Sequence, residues 1–172
     1  MSEVLLKIEN LNKSFGITHA NVNINFELKA GEVRGLAGEN GSGKSTLLSQ
    51  IAGLYGSDSG KMYIRGEEYS PKNPVDANNH KVAMVVQELG MIGSLPASIN
   101  IYLGKTKKFI KMSELQDQAN AVSDRWGLPR VNLKRMAGSM NIENRKMVEL
   151  IRALAADPDI LILDEVTQSL SH

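Results

Sequence analysis

The order of hydrophobic patterns along the chain predicts an α/β fold arranged as sheet, helical block, sheet. Three observations carry this. The first part of the chain reads as strands: Val4-Leu5-Leu6-Lys7-Ile8-Glu9-Asn10-Leu11, and Val22-Asn23-Ile24-Asn25-Phe26-Glu27-Leu28 with strict period-two alternation. Such alternation suits antiparallel strands with one wet face. From about Ala97 to Ala156 the periodicity becomes helical. Ile160-Leu161-Ile162-Leu163 then gives the short apolar run of a strand buried on both faces.

The bulk numbers set the frame. With 172 residues the chain can build a domain with a real core. It is 42% hydrophobic and 23% charged, an ordinary globular composition rather than a disordered one. The net charge of +1 gives no global attraction to nucleic acid or to an acidic surface. The chain has no cysteine, which excludes disulfides and thiolate metal sites within it. Met1 to Asn10 lacks the long apolar run of a signal peptide, and no stretch approaches the ~20 apolar residues of a membrane span.

Each element follows from its local pattern. After the two alternating strands, Lys29-Ala30-Gly31-Glu32 reads as a turn and Val33 to Ala37 as a short strand. Lys44 to Leu54 reads as a helix, with Leu47, Leu48, Ile51 and Leu54 at helical spacing and Gly53 and Gly56 weakening its end. Lys61 to Arg65 is a strand between Gly60 and Gly66. Ser70 to His80 is turn-rich, and Val82 to Val86 is a buried strand. Met112 to Trp126 and Ile142 to Ala156 are the clearest helices; in the second, Met147, Val148, Ile151, Leu154 and Ala155 line one face.

The chemistry is concentrated in Gly38-Glu39-Asn40-Gly41-Ser42-Gly43-Lys44-Ser45-Thr46, which fits the P-loop pattern G-x-x-x-x-G-K-[ST] from Gly38 to Ser45. Its glycines let backbone N–H groups turn inward and approach phosphate oxygens, and the helix that follows offers its positive end. Lys44 is expected to reach the outer phosphates and Ser45 to ligate Mg²⁺. A phosphate site with Mg²⁺ needs a carboxylate at a strand end, and Asp164 follows the apolar run 160–163. Glu165 is placed to orient or deprotonate an attacking water. The fold class expected is therefore a P-loop NTPase binding a nucleoside triphosphate with Mg²⁺. A dinucleotide fold is a poor rival, because Gly41-Ser42-Gly43 continues as Lys-Ser-Thr and G-x-G-x-x-G fails. The loop alone does not choose between ATP and GTP, although no asparagine-lysine-x-aspartate guanine reader occurs.

With these residues in place the chain resembles the ATP-binding subunit of ABC transporters. Within that family it is most similar to the first cassette of bacterial tandem-cassette sugar importers of the ribose, galactose and xylose type. The resemblance runs from Leu5 to Ser171 and is carried by LNKSFGITHA, GENGSGKSTLL, QELGMIGSLPASINIYLG, MVELIRALAADPDILILDE and SLS. It implies an ABC ATPase cassette with an antiparallel β subdomain, a RecA-like core (1–96 and 157–172, with the β subdomain) and a helical subdomain over 97–156. It implies that Phe15 stacks on adenine and that Gln87 senses Mg²⁺ and the γ-phosphate. It also implies partners: membrane-embedded permease subunits, a second cassette and, indirectly, a solute-binding protein. The place implied is the cytoplasmic face of the membrane, with ATP and Mg²⁺ bound and no nucleic acid. Trp126 reads as helix-end packing and Lys105, Lys107, Lys108 and Lys111 as a solvated loop, and His19 and His80 receive no role.

The chain departs from the family pattern at the L-S-G-G-Q signature. Met140-Asn141-Ile142-Glu143-Asn144 fills that slot, with Asn141 for the serine and Glu143 for the second glycine. The resemblance implies that this motif faces the γ-phosphate on the partner cassette. A carboxylate there opposes the anion by on the order of a kcal/mol. Val166 replaces the usual proline, and the sequence stops at His172, before the family's switch histidine and last core strands. The expectation is a truncated cassette that binds ATP with little or no turnover by itself. Two other readings stand beside the importer: a degenerate regulatory cassette, and a non-transport ABC switch protein.

Overall fold

Two long strands open the chain, β1 (Val4–Phe15) and β2 (Thr18–Lys29), joined by a tight turn at Gly16. In the computed structural model β1 pairs antiparallel with β2 on one side and with β3 (Ser59–Ile64) on the other, and β4 (Glu67–Tyr69) completes the order β2-β1-β3-β4. The structure describes residues 3–85, 90–104 and 111–164, in two units that divide between His80 and Lys81. In the first unit the buried residues include Leu6, Ile8 and Leu11 of β1, Leu47 and Ile51 of α1 (Lys44–Ile51), and Met62 and Tyr69. The Tyr69 hydroxyl donates to the Ile51 carbonyl at 2.7 Å, so this buried phenol is satisfied.

β2 follows its alternation only in part. Ile24, Phe26 and Leu28 are half-buried while Asn25, Glu27 and Lys29 are exposed. Val22 breaks the pattern at 59% exposed, and Asn21 is buried at 3%. The pairing shifts between Leu11↔Ile24 and Lys13↔Asn21, and Asn23 has φ 50°. A bulge of this kind exchanges the two faces of a strand.

Two further expectations need correction. Val33 to Ala37 forms no strand: residues 32–39 carry no ladder, and Val33 is 99% exposed. A strand exists only through a neighbour's hydrogen bonds, and among the described residues none pairs with this segment. The turn-rich stretch 70–80 contains a short helix, α2 (Pro74–Asn79). Its proline sits in the first turn, and the Asn73 side chain accepts from the Asp76 N–H at 2.9 Å. The same residues that suggest a turn are helix-start residues.

The second unit contains a parallel pair, β5 (Val82–Val85) and β6 (Ile160–Leu163), in register Val82↔Ile160 to Val85↔Leu163. Ala83, Val85 and Ala153 pack together, so α5 (Ile142–Leu154) lies against this pair. Helices α3 (Ala97–Tyr102), α4 (Met112–Arg125) and α5 enclose a core of Ala97, Ile101, Leu115, Ala119, Val148 and Ile151. Buried Asn100 accepts from the Ile92 N–H and donates to the carbonyls of Ile92, Leu95 and Pro96, which fixes the loop before α3. Gly138 donates to the Gly93 carbonyl at 2.9 Å, and the two glycine backbones touch. Trp126, expected to pack at a helix end, caps α4 but stays 48% exposed with the Arg125 guanidinium over its ring. Among the described residues no helix is long and apolar enough to cross a membrane.

Candidate nucleotide-binding site

The loop from Gly38 to Thr46 folds around its own lysine. The Lys44 ammonium donates to the carbonyls of Gly38 and Glu39, both at 2.8 Å, and to the Ser42 hydroxyl at 3.3 Å. Ser42 N–H donates to the Glu39 carbonyl, closing a turn over Glu39-Asn40-Gly41-Ser42. Gly41 has φ 82°, the third-position geometry of a type II turn. A Cβ at Gly41 would meet no atom within 4 Å, so this side of the loop is open. Glu39, Asn40 and Ser45 are exposed, and Thr46 is half-buried.

Gly43 is the N-cap of α1, in the left-handed region at φ 87°, with no side chain to cap the helix. Its carbonyl accepts the first helical bond, from the Leu47 N–H at 2.9 Å. The N–H groups of the first helical turn have no carbonyl one turn back within the helix and point out of its amino end. Together with the Lys44 charge this makes an anion cradle of backbone donors and one cation. The lysine holds the loop closed on its own carbonyls.

Phe15 ends β1 in the same unit. Its ring is 44% exposed and stands edge-on to Tyr55, centroids 5.2 Å apart, with the Lys13 ammonium 5.5 Å from its centroid. An exposed ring held by a neighbour suits stacking on a base. Tyr55 was not singled out by the sequence, because a tyrosine after a helix carries no signal of its own.

Asp164 lies in the second unit, half-buried at the carboxyl end of β6, where its N–H donates to the Val85 carbonyl at 3.3 Å. The parallel pair thus brings the ends of β5 and β6 together, and ligands of open α/β sheets bind at such ends. Gln87 and Glu165 lie outside the described residues, as do Lys105, Lys107 and Lys108. Gly90 is held from α5. Its N–H donates to Glu149, and its carbonyl accepts from Arg152 at 3.2 Å. Burial pushes the Glu149 carboxyl up, against the pull of the Gly90 N–H, Arg152 and Lys146.

The signature slot is occupied by its own cap. Asn141 is the N-cap of α5, and its side chain accepts from the Asn144 N–H at 3.0 Å. Glu143 follows in the first turn, where a carboxylate complements the helix dipole. An acidic first turn and a side-chain cap are the features of an ordinary helix start. Just before this slot, Ala137–Ser139 forms a 3₁₀ turn.

The glycine-rich loop that opens α1, closed on its own lysine, marks the class of P-loop NTPases. The chain belongs to the ABC transporter family, whose model it matches over residues 22–168. It is 35% identical over 171 residues to a ribose import ATP-binding protein of Rhodococcus jostii, covering 97% of this chain and 34% of that protein. It is 37% identical over 186 residues to a putative carbohydrate transport ATP-binding protein of Mycoplasma pneumoniae, covering 99% of this chain and 32% of that protein. The chain therefore spans about a third of the length of these relatives. Among solved structures, a bacterial ABC transporter cassette in dimeric form superposes with TM-score 0.82 at 25% identity, over 97% of this chain and 76% of that one. A nucleotide-free ATP-binding cassette does so with TM-score 0.82 at 23% identity, over 98% and 71%, which bears on the fold alone.

Proposed function

We propose that this chain is the ATP-binding part of an ABC importer, coupling Mg-ATP binding and hydrolysis to uptake of a small solute, a sugar. The observation that carries the proposal is the closed cradle of Lys44 on Gly38 and Glu39 at the amino end of α1. The names of the relatives, ribose import and carbohydrate transport, support the solute class.

In this reading the backbone N–H groups and Lys44 bind the β- and γ-phosphates, which outcompete the neutral carbonyls now holding the ammonium. Phe15 stacks on adenine beside Tyr55. Ser45 and Asp164 offer the hard oxygen donors that Mg²⁺ takes, and the ion would neutralise developing phosphate charge. Gln87 reports the state of the γ-phosphate, and Glu165 orients the attacking water. The helical segment 97–156 faces membrane permease subunits at the cytoplasmic side, and a second cassette completes the hydrolytic site.

Asn141 and Glu143 favour a second reading for one half of the assembly. A capped, acidic helix start is a poor partner for another cassette's γ-phosphate, so the site this chain completes turns over slowly or serves regulation. The isolated chain is expected to bind ATP with little or no turnover.

The test is copurification of the native gene product with membrane subunits, with uptake of labelled pentoses and hexoses measured before and after Lys44→Ala. The proposal expects association and loss of uptake. A protein that associates instead with ribosomes or DNA, or uptake unchanged by the substitution, would overturn it. Comparing turnover of the whole assembly with and without Glu165→Gln decides between the coupling and the regulatory readings.

A further inference from the structure

Two amides lie buried behind the phosphate loop. Asn21 of β2 is 3% exposed and Gln50 of α1 is 0% exposed. The strand's own alternation would have put Val22 there, and the bulge at Asn23 brings Asn21 inward instead. Burying an amide is unfavourable unless its polar atoms are paired. Here they are. The amide orientation that gives the neighbouring backbone groups their partners turns the Asn21 nitrogen toward the carbonyls of Ala20 (2.8 Å) and Gly43 (3.0 Å). Its oxygen then faces the Leu47 N–H at 3.2 Å and the Gln50 Oε1 position at 2.7 Å, so the Gln50 amide turns with it to present its –NH₂ as the donor there. The other end of Gln50 meets the Ser57 hydroxyl at 2.9 Å.

The atoms these amides reach are those of the loop's helix start. Gly43 has no cap of its own, and a Cβ on it would stand 2.2 Å from the Ala20 carbonyl oxygen. The N-cap peptide is thus pressed on the β2 backbone and bonded by a side chain from that strand. Apolar residues of similar volume fill a core at least as well as a buried polar pair. What the amides add is direction: they fix which way the Gly43 peptide faces.

We propose that Asn21, held by Gln50, is a positioning residue of the phosphate loop. It sets the Gly43 peptide so that the backbone donors at the start of α1 face the β- and γ-phosphates of a bound nucleoside triphosphate. This rests on the nucleotide reading above. It assigns the loop's geometry to a side chain outside the P-loop pattern.

The test replaces the pair with apolar residues, Asn21→Leu with Gln50→Leu, in the full chain. Thermal unfolding is followed, and binding of MgATP and of AMP is titrated by calorimetry. AMP lacks the β- and γ-phosphates, so the ratio of the two affinities reads the loop alone. The expected result is a folded protein that binds MgATP about tenfold or more weakly, with AMP affinity unchanged. Gln50→Met is the second variant: it frees Asn21 without emptying the core, and a several-fold fall in the same ratio is expected. It decides the matter if the double variant does not fold. A folded variant with the wild-type ratio of MgATP to AMP affinity would overturn the inference. Absence of MgATP binding by the wild-type chain would instead overturn the nucleotide reading, and the inference with it.

Discussion

Replacing Gly43 with alanine tests the geometry of the phosphate loop most sharply. Two costs arise, and they can be separated. At φ 87° any L-residue is strained, by ~1–2 kcal/mol. The added Cβ would also stand 2.2 Å from the Ala20 carbonyl oxygen and 2.4 Å from the Asn21 side chain. Relieving that contact moves the backbone of β2 or α1 by about an ångström, an overpacking cost of ~1–3 kcal/mol. Gly41→Ala is the control. Its φ is 82°, but nothing lies within 4 Å of the new Cβ, so only the strain remains. At ~2–4 °C per kcal/mol for a chain of this size, Gly41→Ala should lower the unfolding midpoint by about 5 °C and Gly43→Ala by about 10 °C. Circular dichroism on heating reads both, and a MgATP titration should show the larger loss for Gly43→Ala. Midpoints of the two variants within about 2 °C of each other would refute the close packing of the loop on β2.

Three other perturbations follow from single contacts. Tyr69→Phe leaves the buried Ile51 carbonyl without its donor and should cost ~1–2 kcal/mol in urea unfolding. Asn141→Ala removes the cap of α5 and should cost ~1 kcal/mol, whereas an Asn141 held for a ligand instead of its own helix would show no such loss. Glu149 has a folded-state pKa raised by burial above its ordinary 4.5. Its contribution to stability is therefore full below the unfolded value and lost as pH rises through the folded value. Glu149→Gln keeps an acceptor for the Gly90 N–H and should gain on the wild type from about pH 4 to pH 7 in urea midpoints, and a constant offset across that range would contradict the assignment.

Much of this architecture was legible because it rests on short-range pattern. The alternation in Ile24, Phe26 and Leu28, the apolar stripe of α5 and the run 160–163 each name their element and buried face. The phosphate loop was legible because its chemistry dictates glycines and a lysine at fixed spacing. Failures came where a distant partner decides. The segment 33–37 has strand composition, yet a strand needs a neighbour, and composition does not reveal whether one is present. Asn21 and Gln50 look like surface residues, and only a bulge set by pairing with β1 turns Asn21 inward. The start of α2 was hidden because Asn73 and Pro74 serve turns and helix caps alike. At the signature slot the substitutions were visible in sequence, but the capping bond from Asn141 to Asn144, which shows how the helix uses them, was not.

The loop from Gly38 to Thr46 is proposed to bind the phosphates of a nucleotide. Calorimetric titration of MgATP into the purified chain, beside its Lys44→Ala variant, tests it most directly. Saturable one-to-one binding is expected in the first and loss of that binding in the second, with both proteins folded. No heat of binding in the wild type, or equal binding in the two, would contradict it.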